Sequence, residues 1–414
     1  MTTSSTYSEL IPAPPAGMKR IQLVLVLGVL TALGPFTVDM YLPALPAIAV
    51  DFETSESTVQ LTLTGTLIGL ALGQLVIGPV SDRYGRRRPL LLGTAVHVAA
   101  SVACYFAPTI TVLGAFRTVQ GVGAAATAVI ATAVVRDLFS GRAAAVMFSH
   151  LMLVMGVAPI LAPSIGGILM TTMSWHGVFL VLAALAALLM LIGAVALPET
   201  LPPSHRSRRG LAPALRTYTR LVRDGRFMTL VLVCGLGRAV LWAYIAGSSF
   251  VMQREFELDP TVYGMAFAAG GVVLIGAAQL NVRLLDRWSP VRICIVALTV
   301  SVVVGVMFVA VALHGTVGFA GFAVPVLALL CATGFVMPNA PALALTRHGD
   351  AAGTAAAIVG FAQFGTAAVV APVVGVLGNT ALAVAVTMTG CAVLAVLSLG
   401  FGVRPNARRH GGHD

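Results

Sequence analysis

Asp39, Arg117 and Arg238 stand inside apolar runs long enough to cross a bilayer. Placing a charge at such depth costs roughly 2.5 to over 10 kcal/mol, so these residues mark a pathway or pair with one another. The chemistry open to them is proton carriage. Arginine keeps its proton in the working range, so a transferable proton must ride on Asp39. Depth follows from helical rise. Arg20 and Asp51 bracket the first run, which puts Asp39 about 5 Å beyond its midpoint. Pro108 and Arg136 bracket the fourth, which puts Arg117 about 7 Å from its midpoint on the same side. The two are therefore expected to meet. Two readings are open: a purely structural ion pair, or an acid whose proton affinity is set by burial on one hand and a guanidinium on the other. Arg238, about 3 Å from its own midpoint on the opposite side, either snorkels, binds the other half or meets a substrate. Gln120 and Gly121 share a helical face with Arg117, as Leu241 and Trp242 do with Arg238. His97 and His150 have no acidic sequence neighbours and read as packing or interfacial residues.

The elements that position these residues are membrane helices. The chain has 414 residues, 58% hydrophobic and 10% charged. A soluble fold carries roughly 25% charged residues, so this composition excludes one. The patterning predicts twelve spans at 21–48, 57–79, 89–107, 109–135, 144–170, 177–197, 227–251, 261–282, 292–313, 316–340, 351–376 and 380–402. Of the 25 basic residues, 22 fall in one set of alternate loops and tails and only Arg254 in the other, beside Asp51, Glu53, Glu56, Glu255, Glu257 and Asp259. By the positive-inside rule both termini are cytoplasmic. The net charge of +10 lies in short loops, which excludes a nucleic-acid face. The five cysteines are odd in number, lie in spans and show no metal spacing.

Residues 1–20 and 403–414 are expected to be cytoplasmic tails, the first of them disordered. A basic, Pro-containing linker, 198–226, separates two six-helix halves, 21–197 and 227–402. Asp82-Arg83-Tyr84 after the second span is echoed by Asp286-Arg287-Trp288 after the eighth, as expected of a duplicated chain. The expected fold is thus an all-α membrane protein with twelve transmembrane helices in two pseudo-symmetric halves.

Two further stretches stand out. Gly78-Pro-Val-Ser-Asp82-Arg83-Tyr-Gly85-Arg86-Arg87-Arg88-Pro89 is a tight basic turn between two spans. The fifth span holds Pro159, Pro163, Gly166 and Gly167, which bend a helix and admit a close neighbour.

Together these stretches resemble the major facilitator superfamily, and within it the twelve-helix drug:proton antiporters. Gly78-x-x-x-Asp82-Arg83-x-Gly85-Arg86-Arg87 resembles the family's cytoplasmic loop signature, Arg117-x-x-Gln120-Gly121 its fourth-helix motif, and Ala162-Pro163-x-x-Gly166-Gly167 its antiporter motif, with alanine for the usual glycine at 162. Asp39-Met-Tyr-Leu-Pro43-Ala-Leu-Pro46 and Ala243-Tyr244-Ile-Ala-Gly247-Ser248-Ser-Phe250-Val resemble the bicyclomycin/chloramphenicol-resistance branch. The resemblance implies proton coupling at Asp39 and Arg117. It implies a conformational latch at Gly78, Asp82, Arg83, Gly85 and Arg86, with Asp137 as partner of Arg86. A substrate cavity is expected at Tyr41, Gln120, Arg238, Trp242, Tyr244, Phe250, Asn339 and Gln363. Two departures stand out: Thr31 occupies a position where some relatives carry a second acid, and Ser289 replaces glycine in the second loop signature.

The implied activity is proton-driven efflux of small amphipathic drugs by alternating access, from a bacterial inner membrane, as a monomer, with no cofactor, metal or nucleic acid. The alternative is a facilitator-type exporter or symporter of an endogenous metabolite. No His-Glu-x-x-His, nucleophile elbow or P-loop points to an enzyme. The loop asymmetry predicts that a periplasm-active reporter fused after residue 205 or 409 is silent and one fused after Glu53 is active; activity at 205 would overturn the six-plus-six topology.

Overall fold

The computed structural model describes residues 20–206, 212–315, 318–346 and 351–403. The tails 1–19 and 404–414, and Arg208, Arg209 and Arg347, lie outside the described residues. The chain is built from helices: α1 (Arg20–Asp39), a 3-10 turn (Leu42–Ala44), α2 (Leu45–Asp51), α3 (Glu56–Tyr84), α4 (Arg87–Tyr105), α5 (Ile110–Leu138), α6 (Gly141–Thr172), α7 (Trp175–Ala196), α8 (Ala212–Val222), α9 (Gly225–Phe250), α10 (Pro260–Leu284), α11 (Pro290–His314), α12 (Gly318–Leu345), α13 (Ala352–Val376) and α14 (Ala381–Val403). Among the described residues, eleven spans are long and apolar enough to cross a membrane. Shorter and more polar, α4 makes the twelfth, packed against α5 and α7.

Local chemistry sets the ends. Ser55, Thr109 and Ser289 accept a hydrogen bond from the backbone N–H three residues on, and Asp224 and Asp259 accept two each. Pro260 and Pro290 follow their caps directly, where a missing N–H costs nothing. Gly315 closes α11 in the left-handed conformation. Helices such as α3 and α6 outrun their predicted ends, because polar turns such as Asp82-Arg83-Tyr84 continue the helix into the loop.

The principal neighbour relations of the first half recur in the second. α1 touches α5, α6 and α7, as α9 touches α12, α13 and α14. α5 touches α3 and α4, as α12 touches α10 and α11, and α4 touches α7 as α11 touches α14. The same exchange maps the seam between α3 and α13 onto the seam between α10 and α6. The structure is therefore two copies of one six-helix unit, meeting along two equivalent seams.

One expected span is broken. The first run is a single helix by hydropathy, yet α1 ends at Asp39 and α2 begins at Leu45. The physical reason is Pro43 and Pro46, whose rings exclude the hydrogen bonds to Asp39 and Leu42 carbonyls that a continuous helix would make. The linker also differs from a plain connector: α8 is helical, buries Leu221 and passes a hydrogen bond from Tyr218 Oη to the Leu75 carbonyl of α3.

Glycines set the closest approaches. A Cβ on Gly69 would lie 2.1 Å from the Thr118 carbonyl, and one on Gly121 2.2 Å from that of Thr66, so α3 and α5 cross backbone to backbone. A Cβ on Gly78 would meet nothing within 4 Å. Gly121→Val is therefore expected to cost about 1–3 kcal/mol through overpacking, lowering the thermal midpoint of detergent-solubilised protein, while Gly78→Ala leaves it in place. Equal midpoints for both variants would contradict this packing.

Candidate functional site

The broken helix is the point where the halves join. Ser249 Oγ of α9 donates to the Leu42 carbonyl (2.6 Å), and Gln253 Nε2 to that of Pro43 (3.3 Å). Gln253 lies in a π-helical turn, Val251–Glu255, that extends α9. Nearby, Gln60 Nε2 of α3 reaches across to the Ala246 carbonyl (2.7 Å) and to Asn379 Oδ1 (2.5 Å), and Arg254 pairs with Glu56. These bonds close the face that carries Asp51 and Glu56. Towards the opposite face the interior loosens: a Cβ on Gly34 would meet nothing within 4 Å, and Arg238, Leu241 and Gln363 are only half-buried. The packing is therefore looser toward the Arg86 face.

Asp39 stands at the end of α1, 3% exposed, with no hydrogen bond or ion pair among the described residues. The expected Asp39–Arg117 pair is not formed. Matched depth does bring Arg117 beside α1, but its guanidinium is engaged elsewhere: Nη1 donates to the Thr37 carbonyl (2.9 Å) and to Gln120 Oε1 (2.6 Å). The plane lies over Tyr41, 4.3 Å from the ring centroid, and 5.7 Å from that of Phe179. Gln120, three residues on, competes for the same donor edge, and depth alone does not register rotation about a helix axis. The cation whose field reaches Asp39 is Arg238, from α9 of the other half.

Arg117 anchors a buried polar ring across α1, α4 and α5. Gln120 Nε2 donates to Ser101 Oγ (2.7 Å), and Ser101 Oγ to the His97 carbonyl (2.7 Å). Thr37 Oγ1 spends its one proton on the Leu33 carbonyl (2.6 Å), so His97 Nε2, 2.8 Å away, is the donor to Thr37. Sequence reasoning missed this role of His97. The available signal was Ser101 four residues on and the polar Thr94 three residues before, a polar stripe on a helix otherwise apolar.

The remaining expected residues divide. Trp242 faces Phe364 (centroids 5.9 Å apart), and its Nε1, like Arg238 Nε, is buried without a partner among the described residues. Tyr41 donates or accepts at Thr62 Oγ1 (2.6 Å). Tyr244 stacks on Phe267, and Phe250, like Trp242 and Tyr244, packs in the hydrophobic core. Asn339 Nδ2 donates to Asn281 Oδ1 (2.7 Å), which ties α12 to α10. His150 bonds only to its own helix, at the Val146 carbonyl.

At the other face Arg86 binds Asp82 (2.5 Å), Ser81 (2.7 Å) and Asp137 (2.8 and 3.1 Å). Burial works against its charge, but the bonds from Asp137 and Asp82 outweigh it and hold the guanidinium above its ordinary pKa. Gly85 turns the chain at φ +90°, and a Cβ there would lie 2.2 Å from Glu199, whose carboxylate accepts from the Arg86 N–H. Arg83 is exposed and lies over Tyr84, outside this cluster. Asp82 is 56% exposed, and all these contacts stay within the first half. In the antiporter stretch the two glycines serve different partners: a Cβ on Gly166 would strike the Met40 carbonyl at the break in α1 (2.2 Å), and one on Gly167 the Pro260 carbonyl of the other half (2.3 Å). Pro159 and Pro163 lie within α6, and Pro163 presents its carbonyl to Gly264 of α10.

Comparison with known proteins agrees with this architecture. Residues 27–372 match the Major Facilitator Superfamily model. The chain is 35% identical to the "Uncharacterized MFS-type transporter YdgK" of Bacillus subtilis, over 93% of this chain and 96% of that one. It is 30% identical to the "Bicyclomycin resistance protein homolog" of Haemophilus influenzae, over 94% and 98%. It is 27% identical to the "Multidrug resistance protein MdtL" of Klebsiella pneumoniae, over 81% and 83%. Among solved structures, a D-xylose-proton symporter superposes with TM-score 0.70 at 14% identity over 93% and 97% of the two chains, which shows a shared fold. The chain belongs to the major facilitator superfamily and groups with its bicyclomycin- and multidrug-resistance members. It is a multi-pass membrane transporter.

Gln120→Leu is expected to remove one of the two acceptors of Arg117 Nη1, which keeps the Thr37 carbonyl, and the incoming donor of Ser101 Oγ, which keeps the His97 carbonyl. At about 0.5–1.5 kcal/mol for each lost hydrogen bond, the thermal midpoint should fall, and Gln120→Glu, which keeps the acceptor, should fall less. An unchanged midpoint in Gln120→Leu would show that the ring carries no weight.

Proposed function

We propose that this protein exports amphipathic drugs or antibiotics in exchange for protons, by rocking its two halves against each other. The observation that carries the reading is Asp39: an embedded acid, buried, free of any direct partner, at the helix break where the halves meet. A carboxylate so placed changes the interaction between the halves when it gains or loses a proton, because its opposing charge, Arg238, stands on the other half. Arg117 acts on the same helix at one remove, by holding the Thr37 carbonyl and stacking on Tyr41. The names of the resistance-protein relatives supply the class of cargo.

In this reading the Arg86 face is cytoplasmic, the membrane is the bacterial inner membrane, and both termini lie inside. The looser end then faces the cytoplasm, ready to load drug. Arg86, Asp82 and Asp137 form a latch that biases the exchange between states. Because the bonds now made are all within the first half, the exposed side of Asp82 is free to engage the second half in the other state.

Asp39→Asn in proteoliposomes should still bind drug but lose accumulation driven by an imposed pH gradient. The neutral amide stands in for the protonated acid and has nothing to exchange. Uphill accumulation with wild-type dependence on the gradient would place the proton carrier elsewhere.

A further inference from the structure

The linker helix α8 carries three lines of residues with different surroundings. Tyr218 and Leu221 face the bundle, where Leu221 enters the core cluster shared with α9 and α13. Leu215 and Val222, seven residues apart, form a second line, and they are 62% and 54% exposed. Arg216, Arg220 and Arg223, at i, i+4 and i+7, form a third line, beyond the second and away from the bundle. All three arginines are exposed, and none has a side-chain hydrogen bond or ion pair among the described residues. Two acids stand near, and both are engaged elsewhere: Asp224 caps α9, and Asp82, whose field reaches Tyr218, binds Arg86.

One hydrogen bond sets the depth of α8. Pro79 in α3 has no N–H, so the Leu75 carbonyl, four residues before it, loses its helical partner. Tyr218 Oη donates to that carbonyl (3.1 Å). Leu75 lies about 10 Å along α3 from Asp82, inside the uncharged run 57–81. A carbonyl freed at that depth needs a donor from the protein, so α8 lies beside the bundle at the edge of the bilayer and not out beyond it. A helix held there, with an exposed apolar line next to a bare arginine line, meets acyl chains and headgroups together. We propose that α8 binds anionic phospholipid headgroups on the Arg86 face, with Leu215 and Val222 entering the acyl boundary and Arg216, Arg220 and Arg223 holding the phosphates. The planar guanidinium suits this task, since its fork takes two phosphate oxygens. The site is separate from Asp39 and stands whether or not the exchange reading does.

The test uses the full chain, delipidated in a neutral detergent and titrated with dioleoyl phosphatidylglycerol or dioleoyl phosphatidylcholine. Native mass spectrometry reads the bound lipid, and the thermal midpoint reads its effect on stability. Wild type should bind phosphatidylglycerol at least about tenfold more tightly than phosphatidylcholine, with a preference that shrinks as salt rises. Arg216→Gln, Arg220→Gln and Arg223→Gln should each weaken phosphatidylglycerol about fivefold. Their lysine counterparts should lose less, because the charge stays and only the fork is lost. Leu215→Gln with Val222→Gln should weaken both lipids alike. Arg283→Gln with Arg287→Gln, on the exposed end of α10, should leave the preference intact. Equal binding of the two lipids by wild type overturns the proposal without any variant. So does a preference that survives all three glutamines, or one that the α10 pair abolishes instead. A wild type that ignores phosphatidylglycerol but binds poly-glutamate would make the stripe a face for an acidic protein, and would overturn the lipid reading.

Discussion

The bilayer core holds no water, so every backbone group that leaves a helix there must find a partner inside the protein. The break after Asp39 is where this chain meets that demand. Pro43 and Pro46 interrupt the helix, and the carbonyls of Leu42 and Pro43 are taken by Ser249 and Gln253 of the other half. What looks like a flaw in the first span is thus one of the ties between the two units. Gly166 lets α6 come up against the same break at Met40, so three helices converge on one short irregular segment.

The same demand explains why the charged groups are arranged unequally. Arg117 is wrapped in a carbonyl, an amide and two aromatic rings, and the ring of bonds through Gln120, Ser101, His97 and Thr37 links three helices of the first half. That half is therefore stiff around its arginine. Asp39 and Arg238 have no such wrapping and stand on helices of different halves. Arg117 is tied within one half, although its Nε and Nη2 are without partners among the described residues, while Asp39 and Arg238 belong to different halves, a distribution suited to a machine whose halves move as bodies.

Closure at one face and a charged cluster at the other fit the same mechanics. Gln60, bonded to both Ala246 and Asn379, must release two acceptors before the closed face can part. At the far face Arg86 satisfies two carboxylates within its own half, so the loop is preorganised whichever way the halves lean. Among the described residues the second loop builds no matching cluster; there Arg292 lies over Trp288 instead. The two halves are alike in packing and unlike in chemistry.

Composition and patterning by themselves determined the number of spans and the six-plus-six division, because hydropathy is local and its pattern repeats along the chain. They also singled out Asp39, Arg117 and Arg238, since a charge within an apolar run is visible without any fold. The tertiary structure decided whom those charges meet. Depth along a helix can be counted from the sequence, but rotation about its axis and the crossing of backbones at Gly69 and Gly121 cannot, and these turned Arg117 toward Thr37, Gln120 and Tyr41 and left Asp39 to Arg238. The same limit hid His97, whose partner Thr37 stands 60 positions away in sequence, and hid the bond of Asn339 to Asn281, which exists only once α10 and α12 pack.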